Sequence, residues 1–465
     1  MKTGSQKVKI IILSVVILFA LIPWLLIFVR YLNVSGARES DPVVGGNPIL
    51  TPTPEITSTA PPETLTTPEP SLTPTPAPTP APTPTPAPTP EPEPEERITD
   101  VLSEHTGLAD ALDVITRRFR PASVSMVVYD GEKKEYFSYQ YGLADIGAQR
   151  ELNIDTKFRV ASLSKLVTAM CAMILVDRQE LDLDADISQY LLYDVRNPAF
   201  PETPITSRML MQHTATFSDS DDFNSARYGN SGRSVRQLIE RNRSFSRREP
   251  GTRYEYSNFG FSVLAAVCEN IYGKSFDILA RELIFEPMGI DAAYVASRLK
   301  DTDNIAQVYN SRHLIGLSVQ TMLSTTDSTE LGVDVHLAQG NLTVSIIDYA
   351  RILTMFGAGG VFEGERILSS QSVLEINNAD VNADRFYIGL STRRSELGFM
   401  PEGTAYWHTG SGEGIYAQYI YSADDTNRGI VVVTTGATTN RLGNGMVRFC
   451  TELSEAAWTE IFGDD

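Results

Sequence analysis

From Thr51 to Glu96 the chain is built largely of Thr-Pro, Ala-Pro and Glu-Pro dipeptides. Each proline lacks a backbone donor and fixes φ, so neither a helix nor a strand ladder propagates through such a run. It therefore divides the 465-residue chain into parts that must find their structure separately. Its own preferred state is an extended polyproline spacer at about 3.1 Å per residue, which reaches about 140 Å if fully stretched. A ligand for proline-binding modules is the competing reading, but the repeat carries no distinctive anchor residue, and a passive stalk is adopted.

Ahead of the spacer, residues 10–29 read IIILSVVILFALIPWLLIFV, about the length a helix needs to cross roughly 30 Å of hydrocarbon. Lys2, Lys7 and Lys9 precede this run and, by the positive-inside tendency, hold the N-terminus in the cytoplasm. The expected order is a cytoplasmic N-terminus at 1–9, a single transmembrane helix at 10–29, an extracytoplasmic linker at 30–96 and a folded domain at 97–465. A cleaved signal peptide, with Ser35-Gly36-Ala37 as its processing site, competes with a retained anchor. The apolar core is longer than the usual signal-peptide core.

Within 97–465, LADALDVITRRF has helical periodicity, and the strand-like runs SVSMVVYD and KEYFSYQYG are joined at Asp130-Gly131, a hairpin signal. Near the far end YAQYIYSA and GIVVVTTG form a second strand pair, followed by the helical MVRFCTELSEAAWTEIF. The expected fold is α/β: an antiparallel sheet whose edges come from both ends of the domain, flanked by helices, with a helical subdomain from the middle and the active site at the junction.

The net charge of −19 argues against nucleic acid, which is bound through concentrated Lys and Arg. Small molecules or uncharged polymers suit the chain better, with the membrane as partner only through the N-terminal helix; oligomeric state is left open. Cys171, Cys268 and Cys450 lie far apart in apolar stretches and read as buried structural thiols. The histidines are scattered without a metalloprotease pattern, so no metal and no cofactor is expected.

Ser162 and Lys165 in FRVASLSKLVTAMCAMIL are three apart, which on a helix puts both on one face. A lysine within reach of a serine hydroxyl can activate it as a nucleophile, and burial is one way to tune that lysine. Alone the pair is weak evidence. Tyr256-Ser257-Asn258 follows in PGTRYEYSN, just before an apolar helix, and His408-Thr409-Gly410 in YWHTGSGEG leads into a strand.

With these motifs in this order, the chain resembles the serine beta-lactamase-related family, especially the branch of class C beta-lactamases, D,D-carboxypeptidases, D-aminopeptidases and related esterases. FRVASLSK, PGTRYEYSN, FEPMGI and GNLTVSIIDYARI carry the likeness across residues 110–460. The resemblance implies that Ser162 is acylated, that Lys165 holds or accepts its proton, that Tyr256 relays the proton to the leaving group, and that Asn258 bonds the substrate amide. It also implies an oxyanion hole from the backbone N–H groups of Ser162 and Ser411. Thr409 and Gly410 then line the substrate strand, with Gly410 allowing close approach to substrate.

The chain departs from the family at His213-Thr214-Ala215-Thr216, where the usual closing glycine, tolerant of positive φ, is replaced by threonine. His213 reads as structural. The arginines between Arg227 and Arg253 read as a solvated basic face rather than a polymer-binding patch. His408 stands where many relatives place a lysine for the substrate carboxylate; being mostly neutral near pH 7, it is expected to be a weaker anion site that strengthens toward pH 6.

The expected reaction is acyl transfer to Ser162 followed by hydrolysis, on a cell-wall peptide of D-alanyl type or beta-lactam-like amides. Small esters, or a penicillin-binding module without turnover, are the alternatives; specificity lies in loops that family membership does not fix. If the topology is right, protease added outside intact cells releases a soluble catalytic fragment, detected by immunoblot. A fragment that appears only after lysis would show the opposite orientation.

Overall fold

The computed structural model describes residues 95–228, 233–311, 314–326, 328–400 and 403–463. The apolar run 10–29 and the linker up to Pro94 lie outside the described residues. Among the described residues, no helix is long and apolar enough to cross a membrane.

The elements that position the site are, in chain order, β1 (Arg97–Asp100), α1 (Thr106–Phe119), β2 (Ser123–Asp130), β3 (Glu135–Asp145), β4 (Lys157–Arg159), α2 (Ser164–Asp177), α3 (Asn258–Tyr272) and α4 (Phe276–Ala280). They continue with β5 (Thr343–Ser345), α5 (Ile346–Gly357), β6 (Val381–Asn382), β7 (Tyr387–Ile388), β8 (Arg393–Glu396), β9 (Thr404–Gly412), β10 (Ile415–Ser422), β11 (Arg428–Thr435) and α6 (Arg448–Phe462). The main sheet runs β1-β3-β2-β11-β10-β9-β8-β7-β6.

Both anticipated strand pairs form, β2 with β3 and β10 with β11, antiparallel in each case. Their placement differs from expectation. The N-terminal and C-terminal strands meet in the sheet interior, where β2 pairs with β11 from Asp130↔Arg428 to Ser123↔Thr435, and the far edge comes from β6. The sheet is also mixed, because β1 lies parallel to β3. At the first hairpin the left-handed residue is Lys134 (φ 55°), not Gly131, and the Asp130 carboxylate accepts from the Lys133 N–H at 3.1 Å. The aspartate side chain thus closes a turn longer than a two-residue Asp-Gly loop.

Strands β2 and β11 are apolar at successive positions because both faces of the sheet are covered. Val124, Met126 and Val128, with Ile430 and Val432, pack with Leu112, Phe449 and Trp458 of α1 and α6. Val127, Tyr129, Val431 and Val433 point the other way, into a larger core built on α2, α3 and α5. The three cysteines are buried and unpaired.

α3 is capped at its start by Ser257, whose Oγ accepts from Gly260 N at 3.0 Å, and ends at Gly273 with φ 76°, as cap chemistry requires. Thr216 has φ 60°, so the position keeps the left-handed backbone that a glycine would tolerate. Its hydroxyl accepts from Asn197 Nδ2 at 2.9 Å, one compensation for the strained threonine. In the arginine-rich stretch, Arg233, Arg241 and Arg243 converge on Asp222, and Arg236 pairs with Glu240, so these arginines are engaged in local ion pairs.

One buried carboxylate fixes the helical layer. Asp277 of α4 is 0% exposed and accepts from the backbone N–H groups of Tyr294 at 2.6 Å and Val295 at 2.8 Å and from Arg298 at 3.0 Å. Tyr294 in turn donates to Ser164 O at the start of α2. Asp277→Ala strands two buried backbone donors, so it should cost about 3 kcal/mol of unfolding free energy. The check is a lower denaturant midpoint at unchanged slope.

Candidate active site

Ser162 lies in the single 3₁₀ turn Ala161–Leu163 between β4 and α2. The residue before it, Ala161, is held at φ 48°, an unfavourable backbone for alanine that lifts the serine out of the strand. Lys165, in the first turn of α2, is 0% exposed. Its Nζ donates to Ser162 Oγ at 3.3 Å, Asn258 Oδ1 at 2.8 Å and Gln339 O at 2.7 Å. An ammonium has three N–H groups, and here each has an acceptor. The Lys165 Nζ also lies 5.1 Å from the Tyr256 ring centroid.

Tyr256 precedes the α3 cap, and its hydroxyl donates to Ser162 Oγ at 3.0 Å. Burial raises the Tyr256 phenol above its ordinary value, against the hydrogen bond with Ser162, so it carries its proton near neutrality. Ser162 Oγ is thereby bracketed by an amine and a phenol, the arrangement that activates a serine toward an acyl group.

Asn258 is engaged on both sides. Its carbonyl oxygen holds Lys165, and its Nδ2 donates to Asp219 Oδ2 at 2.6 Å. Asp219 also accepts from the backbone N–H groups of Asn258 at 2.8 Å and Phe259 at 3.0 Å, so a carboxylate from the preceding loop locks the start of α3 and, through Asn258, the lysine.

Residues 408–410 lie within β9 rather than ahead of a strand. Ser162, Tyr256, Asn258, Thr409 and Ser411 face one cavity of about 270 Å³. Gly410 is required by a contact other than the one expected. A Cβ there would lie 2.4 Å from Val160 O and 3.3 Å from Ser162 N, so it is the serine-bearing turn, rather than substrate, that the strand approaches. That approach brings the chain segments of Ser162 and Ser411 to one cavity wall.

His408 requires correction. It is 1% exposed and is not on the cavity wall, and neither ring nitrogen has a partner among the described residues. Burial first, then Arg393 and Lys165, pushes its imidazole well below the ordinary histidine value, so it gains no charge toward pH 6. His213 is likewise buried and held neutral, mainly by burial, and accepts from Ser257 N at 3.2 Å; it is structural, as expected.

The cations facing the cavity are arginines that no sequence motif marked. Arg393 of β8 and Arg441 both line it, and neither forms an ion pair among the described residues. The Arg393 guanidinium lies 4.6 Å from the Phe386 ring, 5.1 Å from Trp407 and 5.8 Å from Tyr256. Arg441 Nη1 donates to Thr409 Oγ1 at 3.1 Å. Burial, then the nearby Arg393, lowers the Arg441 guanidinium from its ordinary value, as befits a cation held without a counter-charge.

A serine within hydrogen-bond reach of a lysine and a phenol thus sits where a two-sided sheet meets a helical layer. The Beta-lactamase family matches residues 112–449, and the chain belongs to that family. It is 29% identical over 177 residues to the D-alanyl-D-alanine-carboxypeptidase/endopeptidase AmpH of Escherichia coli strain K12, covering 37% of this chain and 46% of that protein. It is 30% identical over 175 residues to Esterase EstB of Burkholderia gladioli, covering 34% of this chain and 43% of the esterase. The chain thus spans about half the length of the curated relatives it matches. Among solved structures, a class C beta lactamase from Rhodobacter sphaeroides superposes with TM-score 0.58 at 18% identity, over 75% of this chain and 98% of that one, a likeness of fold.

Gly410→Ala should separate β9 from the Ser162 turn and lower the acylation rate about 10²- to 10³-fold, the loss typical of one misplaced oxyanion donor. Stopped-flow labelling with a fluorescent penicillin or ester measures it, and an unchanged rate would show that the approach is immaterial.

Proposed function

We propose that residues 97–465 form an extracytoplasmic serine hydrolase, held at the membrane by the helix 10–29 and the linker 30–96. It acts through an acyl-enzyme on Ser162. The observation that carries this reading is the placement of Ser162 Oγ within hydrogen-bond reach of both Lys165 Nζ and Tyr256 Oη. In the proposed cycle the buried Lys165 ammonium first releases a proton to solvent, and the neutral amine, directly or through the Tyr256 hydroxyl, takes the serine proton as Oγ attacks the carbonyl. Tyr256 then delivers that proton to the leaving group, and water repeats the sequence to release the acyl group. The N–H groups of Ser162 and Ser411 serve the developing oxyanion.

The substrate class follows from charge. Two guanidiniums that line the cavity without an ion pair among the described residues, one of them on the Thr409 hydroxyl, favour a substrate whose leaving portion ends in a carboxylate. D-alanyl peptides and beta-lactams have that group, and the name of the matched carboxypeptidase/endopeptidase supports the same choice. Similarity to an esterase keeps small esters as the second class.

Incubating the detergent-solubilised chain with D-alanyl peptides, a fluorescent penicillin and a chromogenic ester separates these readings by turnover. Ser162→Ala should abolish covalent labelling. Tyr256→Phe should fold normally and lose about 10²- to 10⁴-fold in rate; full activity would remove the phenol from the mechanism. Arg441→Met should raise KM for a carboxylate-bearing substrate about tenfold or more, the scale of a lost charge-assisted contact, and leave a neutral ester little changed. Because guanidiniums rather than an imidazole hold the anion, the acid-to-neutral KM ratio should stay flat between pH 6 and 8. A ratio that falls toward pH 6 would restore the role to His408.

A further inference from the structure

Beside the catalytic cavity of about 270 Å³ lies another of about 690 Å³, whose walls include Leu317, Met322, Thr326 and Val335. Arg159 lines both cavities and Glu413 lines the second. Their side chains form an ion pair. Arg159 is 7% exposed, and its Nε is fixed by donation to Gly340 O at 2.9 Å. Arg159 therefore stands in the wall that the two cavities share, and Glu413 holds it there from the second cavity.

Glu413 is carried on a fixed backbone beside that wall. It begins the turn between β9 and β10 at φ 54°, followed by Gly414 at φ 93°. A Cβ on Gly414 would lie 2.1 Å from Tyr309 O, and one on Gly316 would lie 2.2 Å from Glu413 O. The turn is gripped from both sides by backbone. The catalytic cavity, at about 270 Å³, lies at the small end of the roughly 300–1,000 Å³ of ordinary small-ligand sites.

We infer that the Arg159–Glu413 pair is a specificity-determining partition. It confines the substrate's acyl group to the catalytic cavity, so the protein takes amides or esters with small acyl groups. Without the partition, the neighbouring cavity with its apolar Leu317, Met322 and Val335 becomes a pocket for bulky ones. The inference rests on Ser162 as the acylated residue.

Affinity is measured by calorimetry in the full chain carrying Ser162→Ala, with acetyl-D-alanyl-D-alanine and biphenylacetyl-D-alanyl-D-alanine as probes. Glu413→Gly removes the side chain at a positive φ that glycine adopts freely. It should raise the affinity ratio of bulky over small probe about tenfold, as expected for burying part of an aromatic group. Glu413→Gln keeps the wall's volume and should leave the ratio unchanged. Adding Thr326→Trp to Glu413→Gly refills the second cavity and should cancel the gain. A ratio unchanged in Glu413→Gly, or a gain that survives Thr326→Trp, overturns the partition. Because affinity is read without acylation, a parent protein that turns over no substrate counts against the hydrolase reading alone, and the ratio still decides the partition.

Discussion

A buried ammonium is sustained only when its N–H groups are all met by acceptors, and that requirement at Lys165 organises the site. Its three acceptors come from separate places in the chain: the turn bearing Ser162, the first residue of α3, and the Gln339 carbonyl ahead of β5. These elements are tied to one another through that one nitrogen. Around this hub the fold adds supports, with Asp219 locking Asn258 and Asp277 holding Tyr294 against α2. The site is thus tied to the hydrogen bonding of the helical layer.

The electrostatics show how a charge can change its chemical carrier. At position 408 the chain carries an imidazole where the family resemblance suggests an anion site, and burial keeps it neutral. Positive charge enters the cavity instead through Arg393 and Arg441. The aromatic faces of Phe386, Trp407 and Tyr256 surround Arg393, a setting that favours a cation without neutralising it. The acidity of the chain as a whole therefore says little about the potential at Ser162.

Sequence reading reached the elements whose signals are local. The hairpins at 123–145 and 415–435 and the helices around them were legible because periodicity identifies them, whereas Ser162, Lys165 and Tyr256 were drawn together by the family resemblance, and the fold brings their side chains within reach of one another. The β2·β11 pairing was not, since nothing within either strand names a partner about three hundred residues away. Asp219, Arg393 and Arg441 were missed for a related reason: each is a single residue without a motif, made important by what the fold brings beside it. His408 was misjudged because a residue's identity does not reveal whether its strand neighbours cover it.

The meeting of β2 with β11 at the centre of the sheet also bears on how the molecule comes into being. Ser123 and Thr435 share a hydrogen bond across 312 positions of sequence, so the middle of the sheet stays open until the segment carrying β11 is available. Until then β2 presents apolar side chains on both faces and an unpaired strand edge, the features that draw partly made chains into aggregates. Closure over such a distance is slow. During synthesis or export, the interval before β11 arrives is when the polypeptide most needs shielding, and a ribosome stall or truncation ahead of Arg428 would leave the sheet without its central strand.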